Sequence, residues 1–256
     1  MSAVVDAHHH FLDPARTAYP WMSEELAVID RRFGPDDLSP AMADAGVDRT
    51  ILVQTLSSAE ETRGFLSTAA TTRFIAGVVG WVDLTEAGVA GSIESTRSAP
   101  GGDRLVGIRH QVHDEPDPDW LLRPAVRRGL LAVGSAGLTY DVLVRTRELP
   151  AALTVVRAQP LTRFVIDHLA KPPIASGDLA LWADRLRPFG ELEHVWCKLS
   201  GLVTEADWHR WRVADLLPAV DIALEIFGPS RLIFGSDWPV CLVAASYGQV
   251  VAAAPN

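Results

Sequence analysis

Residues 4–14 read VVDAHHHFLDP, an apolar pair leading into an aspartate and three consecutive histidines. In an extended strand, residues i and i+2 share a face. His8 and His10 therefore approach one centre, while His9 turns away. Two imidazoles on one face supply half of a tetrahedral zinc site. Two further groups end later apolar runs: His168 in VIDHLAKPP and Asp237 in FGSDWP. Three histidines and a carboxylate can hold a divalent ion, activate a water and move its proton, which is the chemistry of metal-assisted hydrolysis. Taken singly, an H-x-H, a core histidine and an aspartate before a turn each have a plain structural explanation. The joint pattern points to a hydrolytic site.

Eight short, β-branched runs would carry these groups: 3–8, 49–55, 74–82, 105–112, 137–144, 163–169, 195–201 and 231–237. Their length and composition suit buried strands. Amphipathic stretches lie between most of them, at 38–47, 58–72, 181–190 and 205–228. In the first of these, Ser39 reads as the N-cap, Pro40 as the first helical position and Gly46 as the stop. Trp182, Trp208 and Trp211 read as helix packing, and His113, His194 and His209 as ordinary loop or helix histidines. Strands alternating with helices predict a parallel sheet covered on both faces, and eight strands close a barrel. An open doubly wound sheet is the rival, but no glycine-rich phosphate turn follows the first strand. The expectation is a (β/α)8 TIM barrel, with residues 1–256 as one domain. In such barrels chemistry sits at the C-terminal strand ends. There the sequence places Asp6 to His10, Arg109-His110-Gln111, Tyr140-Asp141, Asp167-His168, Lys198-Leu199-Ser200 and Ser236-Asp237.

The 256 residues carry a net charge of −9 and are 48% apolar. That balance disfavours nucleic acid and anionic membranes as partners. Two cysteines make no disulfide framework, and no leader or membrane span is evident. A cytoplasmic enzyme acting on a small molecule is expected.

The blocks VDAHHHFLDP, YPWM, GIRHQVHDEPDPDWL, GLTYDVLV, VIDHLAKPPI, WCKLSGLVTEAD and RLIFGSDWPVCLV, in this order from residue 4 to about 248, resemble the amidohydrolase-related sugar lactonases. That group includes L-fuconolactonases, L-rhamnonolactonases and 2-pyrone-4,6-dicarboxylate lactonases. The resemblance implies an amidohydrolase-type barrel and lactone hydrolysis in carbohydrate catabolism. It maps the family's metal and catalytic positions to His8, His10, His168 and Asp237, with Asp237 as the base, and its substrate-side arginine to Arg109. Lys171, Lys198 and Ser200 are expected to meet polar groups of a sugar acid, and Trp21 to form a pocket wall. Strand 4 lacks the bridging lysine or glutamate of binuclear relatives, and strand 5 offers Tyr140, a further substrate contact, in place of a histidine. One divalent metal, zinc, or none is therefore implied. The family usually continues a few tens of residues further, so the last helix is expected to be cut short. Two alternatives stay open: a related zinc decarboxylase of unsaturated or aromatic acids, and a non-catalytic barrel that binds a sugar acid.

Overall fold

The structure, a computed structural model, describes residues 3–254. Eight strands form one parallel sheet in sequential order. They are β1 (Val5–His9), β2 (Arg49–Val53), β3 (Ile75–Gly80), β4 (Leu105–Gln111), β5 (Thr139–Leu143), β6 (Arg163–Ile166), β7 (Val195–Leu199) and β8 (Leu232–Phe234). Seven fall within the expected runs, and β1 overlaps the run 3–8 and extends one residue beyond it to His9. The helices are α1 (Pro35–Ala45), α2 (Ala59–Thr71), α3 (Val89–Ser98), α4 (Pro124–Ser135), α5 (Leu149–Ala158), α6 (Ala180–Leu186), α7 (Val213–Phe227) and α8 (Tyr247–Ala253). The order is that of a (β/α)8 barrel.

The barrel closes just beyond β8. The Asp237 amide donates to the His8 carbonyl at 2.7 Å, and the His10 amide donates to the Trp238 carbonyl at 2.6 Å. Asp6 locks this seam with its side chain. Its carboxylate accepts from the Ser236 amide (2.8 Å), the Ser236 hydroxyl (2.6 Å) and the Tyr247 hydroxyl (3.2 Å). Burial pushes the Asp6 pKa up, although these donors oppose the shift.

Between strands and helices lies an apolar layer that includes Ile75, Ile108, Tyr140, Phe164, Trp182 and Phe189, all almost fully buried. Burying one such side chain is worth about 1.5–3 kcal/mol. The layer fixes where each strand end points.

Two helix starts differ from expectation. Helix α1 begins at Pro35, and Pro40 lies inside it. Pro35 fills the first position, where a missing N–H costs nothing, and the Asp37 carboxylate accepts from the Gly34 amide at 2.9 Å. Gly46 ends the helix with φ +70°, as expected. Helix α7 begins at Val213 rather than near residue 205. The Asp215 carboxylate caps the Arg212 amide at 2.8 Å, while Asp207 organises the preceding turn by accepting from the His209 amide. Trp208 and Trp211 therefore belong to a loop, not to helix packing. Trp182, in α6, is fully buried as expected. Helix α8 packs on α1, and the three residues of β8 are half-buried.

Candidate active site

His8 and His10 point into the C-terminal mouth of the barrel, with their Nε2 atoms 3.2 Å apart. The Asp237 Oδ1 atom lies 3.3 Å from His10 Nε2, 3.7 Å from His8 Nε2 and 4.0 Å from His168 Nε2. One donor atom each from His8, His168 and Asp237 falls within 4.8 Å of the others. Four ligands about 2.0–2.1 Å from a tetrahedral ion stand about 3.3–3.4 Å from one another. The His8–His10 and His10–Asp237 separations match that spacing, while Asp237 stands wider from His8 and His168, at 3.7 and 4.0 Å. His9 faces away and bonds Thr50 Oγ1 at 2.9 Å.

Each inward imidazole is oriented from behind. The Val53 carbonyl sits 2.8 Å from His10 Nδ1. A carbonyl only accepts, so the proton is on Nδ1 and the Nε2 lone pair faces the cluster. His168 Nδ1 meets the Ser200 hydroxyl at 2.8 Å, so Ser200 serves His168 rather than substrate hydroxyls. His8 Nδ1 faces the Asp167 carboxylate at 3.5 Å. Such outer partners set the ring's tautomer and angle. Burial pushes His168 down to about 4 against the pull of Asp237 and Asp167. Burial also holds His8 well below its ordinary value. Both are neutral near pH 7, as ligation of a cation demands. Burial alone would raise Asp237. In the acid range where Asp237 titrates, the charge that His168 then carries and the neighbouring histidines outweigh burial and hold the carboxyl below the usual carboxylate range. Neutral imidazoles on His8 and His168 beside an ionised carboxylate therefore suit a divalent ion.

The backbone is strained where it delivers these groups. His168, Leu169, Ala170 and Lys171 all have φ between +51° and +57°, and Asp237 has φ +58°. They are the only non-glycine residues with positive φ among those described. A left-handed turn costs an L-residue roughly 1–2 kcal/mol. Trp182 supports this one, its indole N–H donating to the Leu169 carbonyl at 2.7 Å. The turn swings His168 inward and carries Lys171 to the pocket. Gly201, with φ +63°, lies so close that a Cβ there would sit 2.7 Å from His168 Nδ1.

Beneath the cluster lies a buried ionic network. Lys198 pairs with Asp141 and with Asp167 (2.9 Å), and its Nζ is 3.3 Å from His8 Nδ1. Arg109 Nη1 is 3.0 Å from Asp167 Oδ2 and 3.3 Å from His8 Nε2. Burial raises Asp141 to about 6 although Lys198 opposes it, while Lys198, His8 and Arg109 overcome burial to hold Asp167 well below its ordinary value.

Besides Ser200, two expected substrate contacts are corrected here. Lys198 is 3% exposed and wholly engaged with carboxylates, so it supports His8 from behind. Tyr140 is 0% exposed. It alternates with the inward Asp141, which puts its ring in the helix-facing layer against Phe164.

Above the cluster opens a cavity of about 520 Å³. His10, His168, Asp237, Arg109, Lys171 and Trp21 all line it. The Trp21 indole donates to the Thr55 carbonyl at 3.2 Å, which fixes the wall. Many of the other lining residues escaped sequence reasoning, three of them with a bearing on the site. His113 and Trp208 had been assigned ordinary roles, and Glu205, now 2.9 Å from Lys171, lay in a stretch expected to be helical.

The amidohydrolase family profile matches residues 5–255. The chain belongs to the amidohydrolase family. It is 43% identical to an L-fucono-1,5-lactonase of Burkholderia ambifaria over 97% of this chain and 84% of that protein. A crystal structure of an amidohydrolase from Burkholderia multivorans with bound zinc superposes with a TM-score of 0.92 at 38% identity, covering 98% of this chain and 90% of the other. A 2,6-dihydroxybenzoate decarboxylase from Rhizobium superposes at 0.65 with 11% identity over 99% of this chain and 92% of the other, a likeness of fold alone.

Proposed function

We propose that this amidohydrolase opens the ring of a sugar-acid lactone of the L-fucono-1,5-lactone type. The observation that carries the reading is the Asp237 carboxylate, ionised and set among three buried imidazoles on the floor of a polar pocket. The 43% identity to a lactonase over nearly the whole chain supports it.

In this reading Asp237 accepts a proton as water adds to the lactone carbonyl carbon. The bond from that carbon to the ring oxygen then breaks, and Asp237 returns the proton to the leaving alkoxide. Arg109, fixed by Asp167, orients the substrate from the floor, and Trp21 and Lys171 line the pocket around it. A single zinc ion held by His8, His10, His168 and Asp237 would polarise the carbonyl and acidify water. The end of β4 offers Arg109 and His110 rather than a bridging group for a second ion. Two buried, unpaired cysteines, Cys197 and Cys241, support a cytoplasmic location. Among the described residues, no helix is long and apolar enough to cross a membrane.

The product hydroxy acid ionises at neutral pH, so one proton appears per turnover. A weakly buffered pH-indicator assay with L-fucono-1,5-lactone is the test. Acidification that scales with enzyme supports hydrolysis. Release of carbon dioxide from an aromatic acid without lactone turnover would overturn it in favour of decarboxylation, and binding of lactone without acidification would leave a non-catalytic barrel.

A further inference from the structure

Every cation that lines the pocket already has a carboxylate partner. Arg109 pairs with Asp167 (3.0 Å) on the floor. At the rim, Glu205 takes both remaining cations: Lys171 Nζ lies 2.9 Å from Oε1, and Arg145 Nη1 lies 3.6 Å from Oε2. The Lys171 and Glu205 side chains are only 16% and 14% exposed, so solvent screens this pair less than an open surface pair. The other rim carboxylates, Glu25 and Asp114, add no positive charge, and Asp114 is occupied by His113 at 3.2 Å.

We propose that Glu205 is a specificity-determining residue that makes the rim accept hydroxyls and refuse carboxylates. This rests on the lactonase reading and adds the substrate's distal chemistry to it. A substrate whose carbonyl meets Asp237 at the floor extends its remaining carbons toward Lys171, Glu205 and Arg145. An ammonium beside a carboxylate offers a donor and an acceptor side by side, which matches a polyol. A distal carboxylate entering the same place meets the like charge of Glu205 and finds both cations taken. The strained left-handed turn at 168–171, which carries Lys171 to Glu205 as well as His168 to the cluster, serves this arrangement.

The test compares two lactones in the proton-release assay, a neutral aldonolactone and an aldarolactone with a free distal carboxylate. The wild-type enzyme should prefer the neutral lactone in kcat/KM. Glu205→Gln keeps the shape and frees Lys171 and Arg145, and the preference should fall by about five-fold or more, chiefly through KM for the aldarolactone. Adding Lys171→Met to that variant removes one freed cation and should move the preference back toward wild type. That reversal of sign is not expected of a residue that merely props up its loop. An unchanged preference in Glu205→Gln, in a wild type that hydrolyses the neutral lactone, overturns the role of Glu205 and leaves the lactonase reading standing. A wild type that hydrolyses neither lactone removes the reading and the proposal together.

Discussion

Gly201 offers a test of how closely His168 must be held. Its φ of +63° is open to glycine at little cost, and its missing side chain faces the cluster. In Gly201→Ala the new Cβ would lie 2.7 Å from His168 Nδ1, 3.0 Å from Cγ and 3.2 Å from Asp237 Oδ2. Ordinary contact begins near 3.4 Å, so the imidazole must retreat by 3.4 − 2.7, or 0.7 Å. Displacement on that scale also disturbs the 2.8 Å bond to Ser200. A misplacement of about 1 Å at a reacting centre costs roughly 10²-fold in rate. The left-handed backbone adds a separate penalty of about 1 kcal/mol for alanine, worth about 2–4 °C in Tm for a chain of this size. Gly177 separates the two effects, because its φ is +71° and nothing lies within 4 Å of its virtual Cβ. Gly177→Ala should lose a similar few degrees and keep its kcat. Gly201→Ala should lose kcat on the order of 10²-fold beyond that control, by proton release with melting measured in parallel. If Gly201→Ala turns over lactone at more than about a third of the wild-type rate, the tight placement of His168 does not matter, and the argument from misplacement fails.

Asp237→Asn should lose kcat by roughly 10²–10⁴-fold, because the amide cannot accept the water's proton; near-normal turnover would remove Asp237 from that role. Ser200→Ala takes away the partner of His168 Nδ1 and should weaken divalent-metal affinity by about 10–100-fold, read by competition with a zinc chelator; unchanged affinity would mean that Ser200 does not orient the ring. Burial lowers His110 below its ordinary 6.5 despite Glu115 at 2.8 Å, and its Nδ1 accepts from the Trp81 indole at 3.0 Å. Its depressed folded pKa gives stability that is present above about pH 6.5 and lost as pH falls through the folded value. Melting curves of His110→Asn should therefore fall less steeply than wild type between about pH 7 and pH 5; parallel curves would show that His110 does not contribute.

The barrel was legible because its signals are periodic. Eight β-branched runs separated by amphipathic stretches admit few architectures, and strand parity alone put His8 and His10 together and sent His9 away. Parity needs an anchor, however. On β5 a shift of one residue decides whether Tyr140 or Asp141 faces the barrel axis, and nothing local to GLTYDVLV settles it. Lys198 was correctly placed at a strand end, but its role depends on Asp141 and Asp167 from two other strands. The turn at 168–171 adopts a left-handed conformation without glycine, so no residue type advertises it. Glu205 and Trp208 were hidden because the apolar period of α7 seemed to extend back over them, whereas the cap formed by Asp215 starts the helix at Val213.

The seam between β1 and the segment after β8 also sets an order of events. Asp6 and Ser236, which bond side chain to backbone, stand 230 residues apart. At about 5–20 residues per second a ribosome needs roughly 10–50 s between delivering the two ends of that contact. During that interval the H-x-H pair exists without Asp237, as two ligands on a chain whose ring is still open. A nascent barrel therefore has little hold on a passing cation, and an ion bound by the finished cluster would meet the completed geometry. Under the one-metal reading proposed above, selection among the cell's metals would fall to a folded cage, whose spacing discriminates, and not to a flexible peptide that would take the most avid binder.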